Sequence, residues 1–94
     1  MAKPKLDSAG ISLFCESVAM MLAAGIQTDE AVGMLSEDIG DEGLQATCTV
    51  VYRRLNEGES LARAMRESGA FPRYAVDMVH VGEASGRTEE VLRA

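Results

Sequence analysis

No stretch of this 94-residue chain holds the roughly 18 unbroken apolar residues that a membrane span requires. The longest apolar run, Val18 to Ala24, is far too short. No signal peptide is expected, because Asp7, Ser8 and Ser12 interrupt the sequence that follows Lys3 and Lys5. Histidine occurs once, as His80, with no serine, cysteine or aspartate around it in the context of a nucleophile elbow or a dyad. The two cysteines stand 33 positions apart with no histidine nearby, which excludes a structural zinc motif. Neither Gly-rich phosphate-binding signature is present, so nucleotide binding has no support. The net charge of −6 argues against a nucleic-acid partner. Base is missing altogether between Asp29 and Glu42, which carries Asp29, Glu30, Glu37, Asp38, Asp41 and Glu42. The arginines Arg53, Arg54, Arg63, Arg66 and Arg73 follow it. Such segregation suits either solvated helix faces or docking between subunits or onto a partner.

What the sequence does contain is helical periodicity, punctuated by glycine, over a composition that is 47% hydrophobic. No segment alternates with period two for long enough to suggest a sheet, so an all-α antiparallel bundle of about six short helices is expected. Ile11, Phe14, Cys15, Val18 and Leu22 make one stripe of the first helix, and Leu13, Met20 and Ala24 a second line roughly opposite. A helix apolar on two sides is either central to a bundle or shared with another subunit, which makes Leu13 and Met20 candidate interface residues. Gly25 closes this helix and Thr28 is expected to cap the next, which buries Ala31, Val32, Leu35 and Ile39. Gly33 inside that helix suits the close approach of a neighbour. Helix three carries Leu44, Cys48, Val51 and Leu55 and stops at Gly58; Ser60 caps helix four, which buries Leu61, Ala64 and Met65 and ends at Gly69. Pro72 is expected as the first residue of helix five, with Ala75, Met78, Val79 and Gly82 on one face. Gly86 ends it, and helix six begins at Arg87 or Thr88. Gly25 and Gly58 each precede a capping residue and, six positions on, an alanine, as if one helix-turn-helix device were used twice.

Candidate chemistry is sparse. Asp77 and Glu83 share a helix face with His80 at three-residue spacing, a weak cation site at best. The Asp38–Gly43 stretch fails as a calcium loop, because the third and twelfth positions are Gly40 and Thr49. Its carboxylates are expected to cap a helix. Glu59-Ser60-Leu61 differs in its first residue from the Asp-Ser-Leu of acyl carrier proteins. No cofactor and no catalytic residue is expected, only adventitious divalent cations at surface carboxylates. Cys15 and Cys48, on apolar helix positions, are expected as buried reduced thiols, with a disulfide as the alternative that spacing alone does not decide.

Three blocks together resemble a known family. They run from Phe14 through Gly25 to Leu35, from Leu55 through Gly58 and Ser60 to Met65, and from Phe71-Pro72 through Gly82-Glu83-Ala84-Ser85-Gly86 to Leu92. The chain is similar to the cytoplasmic domain of the type II secretion system F family, the polytopic inner-membrane platform proteins of type II secretion and type IV pilus assembly. The Gly-Glu-x-Ser-Gly block is the most specific part. The resemblance implies a bundle of about six helices that associates as a homodimer and has no catalytic residues. It also implies a cytoplasmic face offered to the assembly ATPase and other inner-membrane platform proteins, with membrane contact only through transmembrane segments outside this stretch. Residues 1–7 are expected as a flexible N-terminal segment and 8–94 as the helical domain of a longer membrane protein. The helix beginning near Glu89 has no stop signal, as in a piece of a longer chain. Thr88 departs from the leucine the family usually carries, which bears on the packing of helix six. Gly82 is expected to let helix five pack closely or bend. Glu83 and Ser85 are expected to hydrogen-bond backbone amides of the following turn. A free-standing helical adaptor that grips a partner helix through methionines is the alternative function.

Overall fold

The computed structural model describes residues 6–38 and 40–93. Six helices follow one another: α1 (Ser8–Ala23), α2 (Thr28–Asp38), α3 (Glu42–Asn56), α4 (Leu61–Ser68), α5 (Arg73–Ser85) and α6 (Thr88–Arg93). Among the described residues there is no strand, so the all-α expectation holds. Each helix packs on the next in sequence, and α6 returns to α1, closing a ring around one core. Short connections impose this order, since a helix leaving a tight turn meets its predecessor first.

The core draws on every helix. Phe14 and Val18 of α1, Val32 of α2, Leu44, Cys48 and Val51 of α3, Leu61 and Met65 of α4, Val79 of α5 and Leu92 of α6 are all buried. At its centre the rings of Phe14 and Phe71 meet at 4.9 Å between centroids, tilted by 60°. That geometry sets one ring edge against the other face, which the ring quadrupoles favour. Leu6, expected in a flexible segment, instead donates its N–H to the carbonyl of Ala70 at 2.9 Å and packs on the core. Asp7 likewise belongs to the fold, as the N-cap of α1. Residues 1–5, the rest of that expected segment, lie outside the described residues, as does Ile39.

Helix ends follow from local chemistry. Asp41 accepts the N–H of Leu44, and Ser60 that of Arg63, each satisfying an orphan amide of the first turn. Gly25 and Gly58 adopt φ of +90° and +93°. Around them the bonds repeat position for position: Gly25 to Leu22 and Ile26 to Met21 in one turn, Gly58 to Leu55 and Glu59 to Arg54 in the other. This is the Schellman arrangement, which satisfies carbonyls in the last turns of α1 and α3.

Three details differ from expectation. Thr28 is the first helical residue of α2 rather than its cap, since the carbonyl of Gln27 accepts the first helical bond, from Ala31. Gln27 thereby matches Ser60, whose carbonyl accepts from Ala64, and the two turns share one register. Pro72 sits just outside α5, with ψ of 156°, and its carbonyl receives Ala75 and Val76. Met78 is exposed, and Val76, beside α4 residues, is buried in its place. Gly33 is where a neighbour approaches: a Cβ there would lie 2.6 Å from the Tyr52 ring of α3. Thr88 opens α6 half-buried, and Leu92 carries that helix's burial.

Candidate interaction surface and the glycine-glutamate corner

The Gly-Glu-x-Ser-Gly block forms the last turn of α5 and the corner into α6. Gly82 is buried against α6: an added Cβ would lie 2.8 Å from Val91 Cγ2 and 3.0 Å from Val91 Cβ. Its own carbonyl accepts the N–H of Arg87 at 2.7 Å, and Gly86 supplies the left-handed turn at φ +74°. Ser85 does not cap the following turn; its hydroxyl turns back and donates to the carbonyls of Val81 and Gly82, at 2.9 and 3.3 Å. Glu83 also reaches elsewhere. Its two oxygens accept the amides of Leu61 and Ala62, both at 2.9 Å. They are the first two residues of α4, so α5 supplies a carboxylate cap to a helix more than 20 residues upstream. An eight-residue helix is marginal alone, and this cap holds its first turn to α5.

The possible cation ligands do not converge. Asp77 pairs with Arg73 at 3.6 Å and Glu83 is committed to the α4 amides, which leaves His80 without the two carboxylates placed beside it in sequence. Among the described residues no cluster of three or more metal-ligating side chains occurs.

Both thiols are free. Burial pushes Cys48 up to about 12, and burial with the Glu16 carboxylate raises Cys15. Both shifts disfavour the thiolate, the nucleophilic form.

Sequence reading missed a second polar junction. Arg54 reaches Glu59 at 3.4 Å and Glu67 at 3.3 Å, tying the end of α3 to the loop after it and to α4. Arg63 hydrogen-bonds the same Glu67, and chiefly that bond holds the Glu67 carboxyl below its ordinary value. Arg54–Glu57 and Arg63–Glu67 follow helical spacing, whereas the contacts of Arg54 with Glu59 and Glu67 depend on the turn at Gly58.

The two candidate interface residues lie together on the outer side of α1. Leu13 is 47% exposed and Met20 68%. Of the two readings of a doubly apolar α1, the central position is excluded, because this second line faces solvent. A groove beside it, between α1, α5 and α6, is lined by Ile11, Cys15, Tyr74, Met78 and Val91. No helix described here is long and apolar enough to cross a membrane.

Comparison with known proteins supplies the lineage of this bundle, with its interhelix carboxylate cap and its outward apolar line on α1. The model of type II secretion system (T2SS) protein F matches residues 14–94. The chain belongs to this family. Among its relatives, the type IV pilus assembly protein PilC of Myxococcus xanthus is 25% identical over 89 residues, 95% of this chain and 21% of its own length. The type 4 fimbrial assembly protein PilC of Pseudomonas putida is 30% identical over 93% of this chain and 22% of its own. Type II secretion system protein F of Aeromonas hydrophila is 32% identical over 87% and 21%. The chain thus spans about a fifth of the length of these relatives. The Gly-Glu-x-Ser-Gly corner lies inside the matched region, as do α2 to α6.

Proposed function

We propose that this domain is a non-enzymatic docking module of an inner-membrane platform protein in type II secretion or type IV pilus assembly. In this reading it stands at the cytoplasmic face, pairs with a second copy, and offers its surface to the assembly ATPase and other platform components. Its membrane contact comes through segments outside residues 1–94. The observation that carries the reading is the apolar line of α1. Leu13 and Met20 face outward where a monomeric helix would carry polar groups. Family membership supplies the assemblies to which such a surface belongs.

The test is self-association of the double variant Leu13→Glu/Met20→Glu, measured by sedimentation velocity beside circular dichroism. Weaker association with an unchanged thermal transition supports the α1 face. Unchanged association at high protein concentration rejects it.

One observation favours the second reading, a helical adaptor for a partner helix: Met20, Met34 and Met78 are all exposed, and methionine adapts to varied apolar partners. Coding sequence beyond Ala94 separates the two. Apolar segments of about 20 residues favour the platform, and an early stop favours the adaptor.

A further inference from the structure

The arginines that sequence grouped together are divided by the fold. Arg54 is taken up by carboxylates, whereas Arg63, Arg66 and Arg73 converge with His80 on a groove between α4 and α5. The groove encloses about 770 Å³, and Ala62, Phe71 and Val76 contribute apolar lining. Three arginines and one carboxylate, Asp77, line it, in a protein whose net charge is −6. Arg73 and Arg63 keep most of their surface in water even while paired to Asp77 and Glu67, and Arg66 has no ion pair among the described residues. The Glu83 cap ties the start of α4 to the last turn of α5, and the left-handed Gly69 closes the other end of α4.

We infer that this groove binds an acidic segment of a partner protein, its carboxylates on the three arginines and an apolar side chain against Phe71 and Val76. Guanidinium forks match carboxylates in two-point geometry, and a local positive field in a negative protein selects and orients such a partner. The shape favours a peptide over a bilayer. A planar anionic surface meets the net charge of a whole face, while a narrow segment entering the groove meets chiefly its lining. This second surface is separate from the α1 face and involves neither Leu13 nor Met20.

The experiment measures fluorescence anisotropy of a fluorescein-labelled amphipathic peptide, glutamates on one face and leucines on the other, titrated with the 94-residue chain. A counterpart with lysine for glutamate is the control. Expected are saturable binding of the glutamate peptide only, at least about tenfold weaker binding by Arg66→Glu/Arg73→Glu, and near-native affinity for Arg66→Lys/Arg73→Lys. Salt at 1 M, where the screening length falls to about 3 Å, should abolish binding. Arg53→Glu, outside the groove, controls for net charge. Circular dichroism verifies that every variant folds. The inference is overturned if the glutamate peptide does not bind, if the lysine peptide binds equally, or if Arg53→Glu weakens binding as much as the groove reversals. It is overturned as well if phosphatidylglycerol vesicles capture the chain in preference to the peptide. Loss of self-association rather than of peptide binding on charge reversal would assign the groove to a second copy and reject an acidic partner.

Discussion

Glu83 accepts the backbone N–H of Leu61 at 2.9 Å across 22 residues of sequence, so the closing turn of one helix is the opening cap of another. Its other oxygen takes the N–H of Ala62 at the same distance. Removing the carboxylate leaves two first-turn amides without their acceptor, in a helix with no length to spare. Glu83→Ala should destabilise the fold by about 1.5–3 kcal/mol, the range for hydrogen bonds to a charged group. Glu83→Gln keeps one acceptor and loses the charge, and should fall between. Urea unfolding with a shared slope measures both. Hydrogen exchange at Leu61 and Ala62 should rise in Glu83→Ala more than exchange in α3, which distinguishes loss of this cap from general loosening.

How much of this was legible in the sequence follows from the range of each signal. Asp41 and Ser60 bond amides three residues ahead, and Gly25 and Gly58 close turns with bonds inside six residues. Such features are written locally, and helix number and order were readable from them. Thr28 and Pro72 were each displaced by one position because the preceding residue in one case, and the proline itself in the other, supplies a capping carbonyl through backbone alone. Nothing in composition marks that choice. Met78 and Val76 exchanged roles because helical phase is set by the contact of α5 with α4, and a stripe with glycine in it leaves the phase loosely defined. The target of Glu83 and the Arg54–Glu67 contact depend on helices brought together by the turns between them, and no spacing rule reaches that far.

Gly82 should tolerate no side chain while Val91 keeps its shape. The added Cβ of Gly82→Ala meets Cγ2 at 2.8 Å and Cβ at 3.0 Å, and a β-branched residue on a helix has little rotamer freedom with which to yield. Helix propensity favours alanine by about 1 kcal/mol, and overpacking opposes it by about 1–3. Net destabilisation is expected for Gly82→Ala, with partial recovery in Gly82→Ala/Val91→Ala. A double-mutant cycle by denaturant unfolding reads the coupling. Gly33→Ala makes the contrast. Its nearest neighbour is the edge of the Tyr52 ring, which is 38% exposed and able to swing outward, so the cost there should be smaller.

Gly58→Ala tests conformation without packing. No atom lies within 4 Å of the Cβ it would add, yet φ is +93°. The expected cost is therefore conformational alone, about 1–2 kcal/mol, and it should be matched by Gly25→Ala at φ +90° in the equivalent turn. Gly43→Ala is the reference: it lies in the first turn of α3 with helical backbone, and its added Cβ meets only Asp41 Oδ1 at 3.4 Å, so it should be neutral or mildly stabilising. Thermal unfolding of the three variants side by side checks the ranking. Equal effects at all three positions would contradict the assignment of the cost to the left-handed turn.

Cys48 gives the fold a defined alkaline limit. The unfolded thiol titrates near its ordinary value of 9.0, while burial in the α3 core pushes the folded thiol up to about 12. The protonated form is the one the core accepts. Below pH 9 both states hold the proton and the thiol contributes no pH dependence. Between pH 9 and 12 the unfolded chain releases it first, so the unfolded state binds fewer protons and stability declines with rising pH. Above that window the folded thiol ionises too and the contribution levels off. Cys48→Ala removes this dependence along with some packing, which lowers stability at every pH. The informative quantity is thus the slope. Unfolding free energy plotted from pH 8 to 11 should bend downward in the native chain beyond 9, and less so in Cys48→Ala. Alkylation of the folded native chain gives a second readout: Cys15 is half-buried and should react with iodoacetamide well before the buried Cys48 does. Parallel slopes for the two proteins, or equal labelling of the two thiols, would show that Cys48 does not occupy the dry interior of α3.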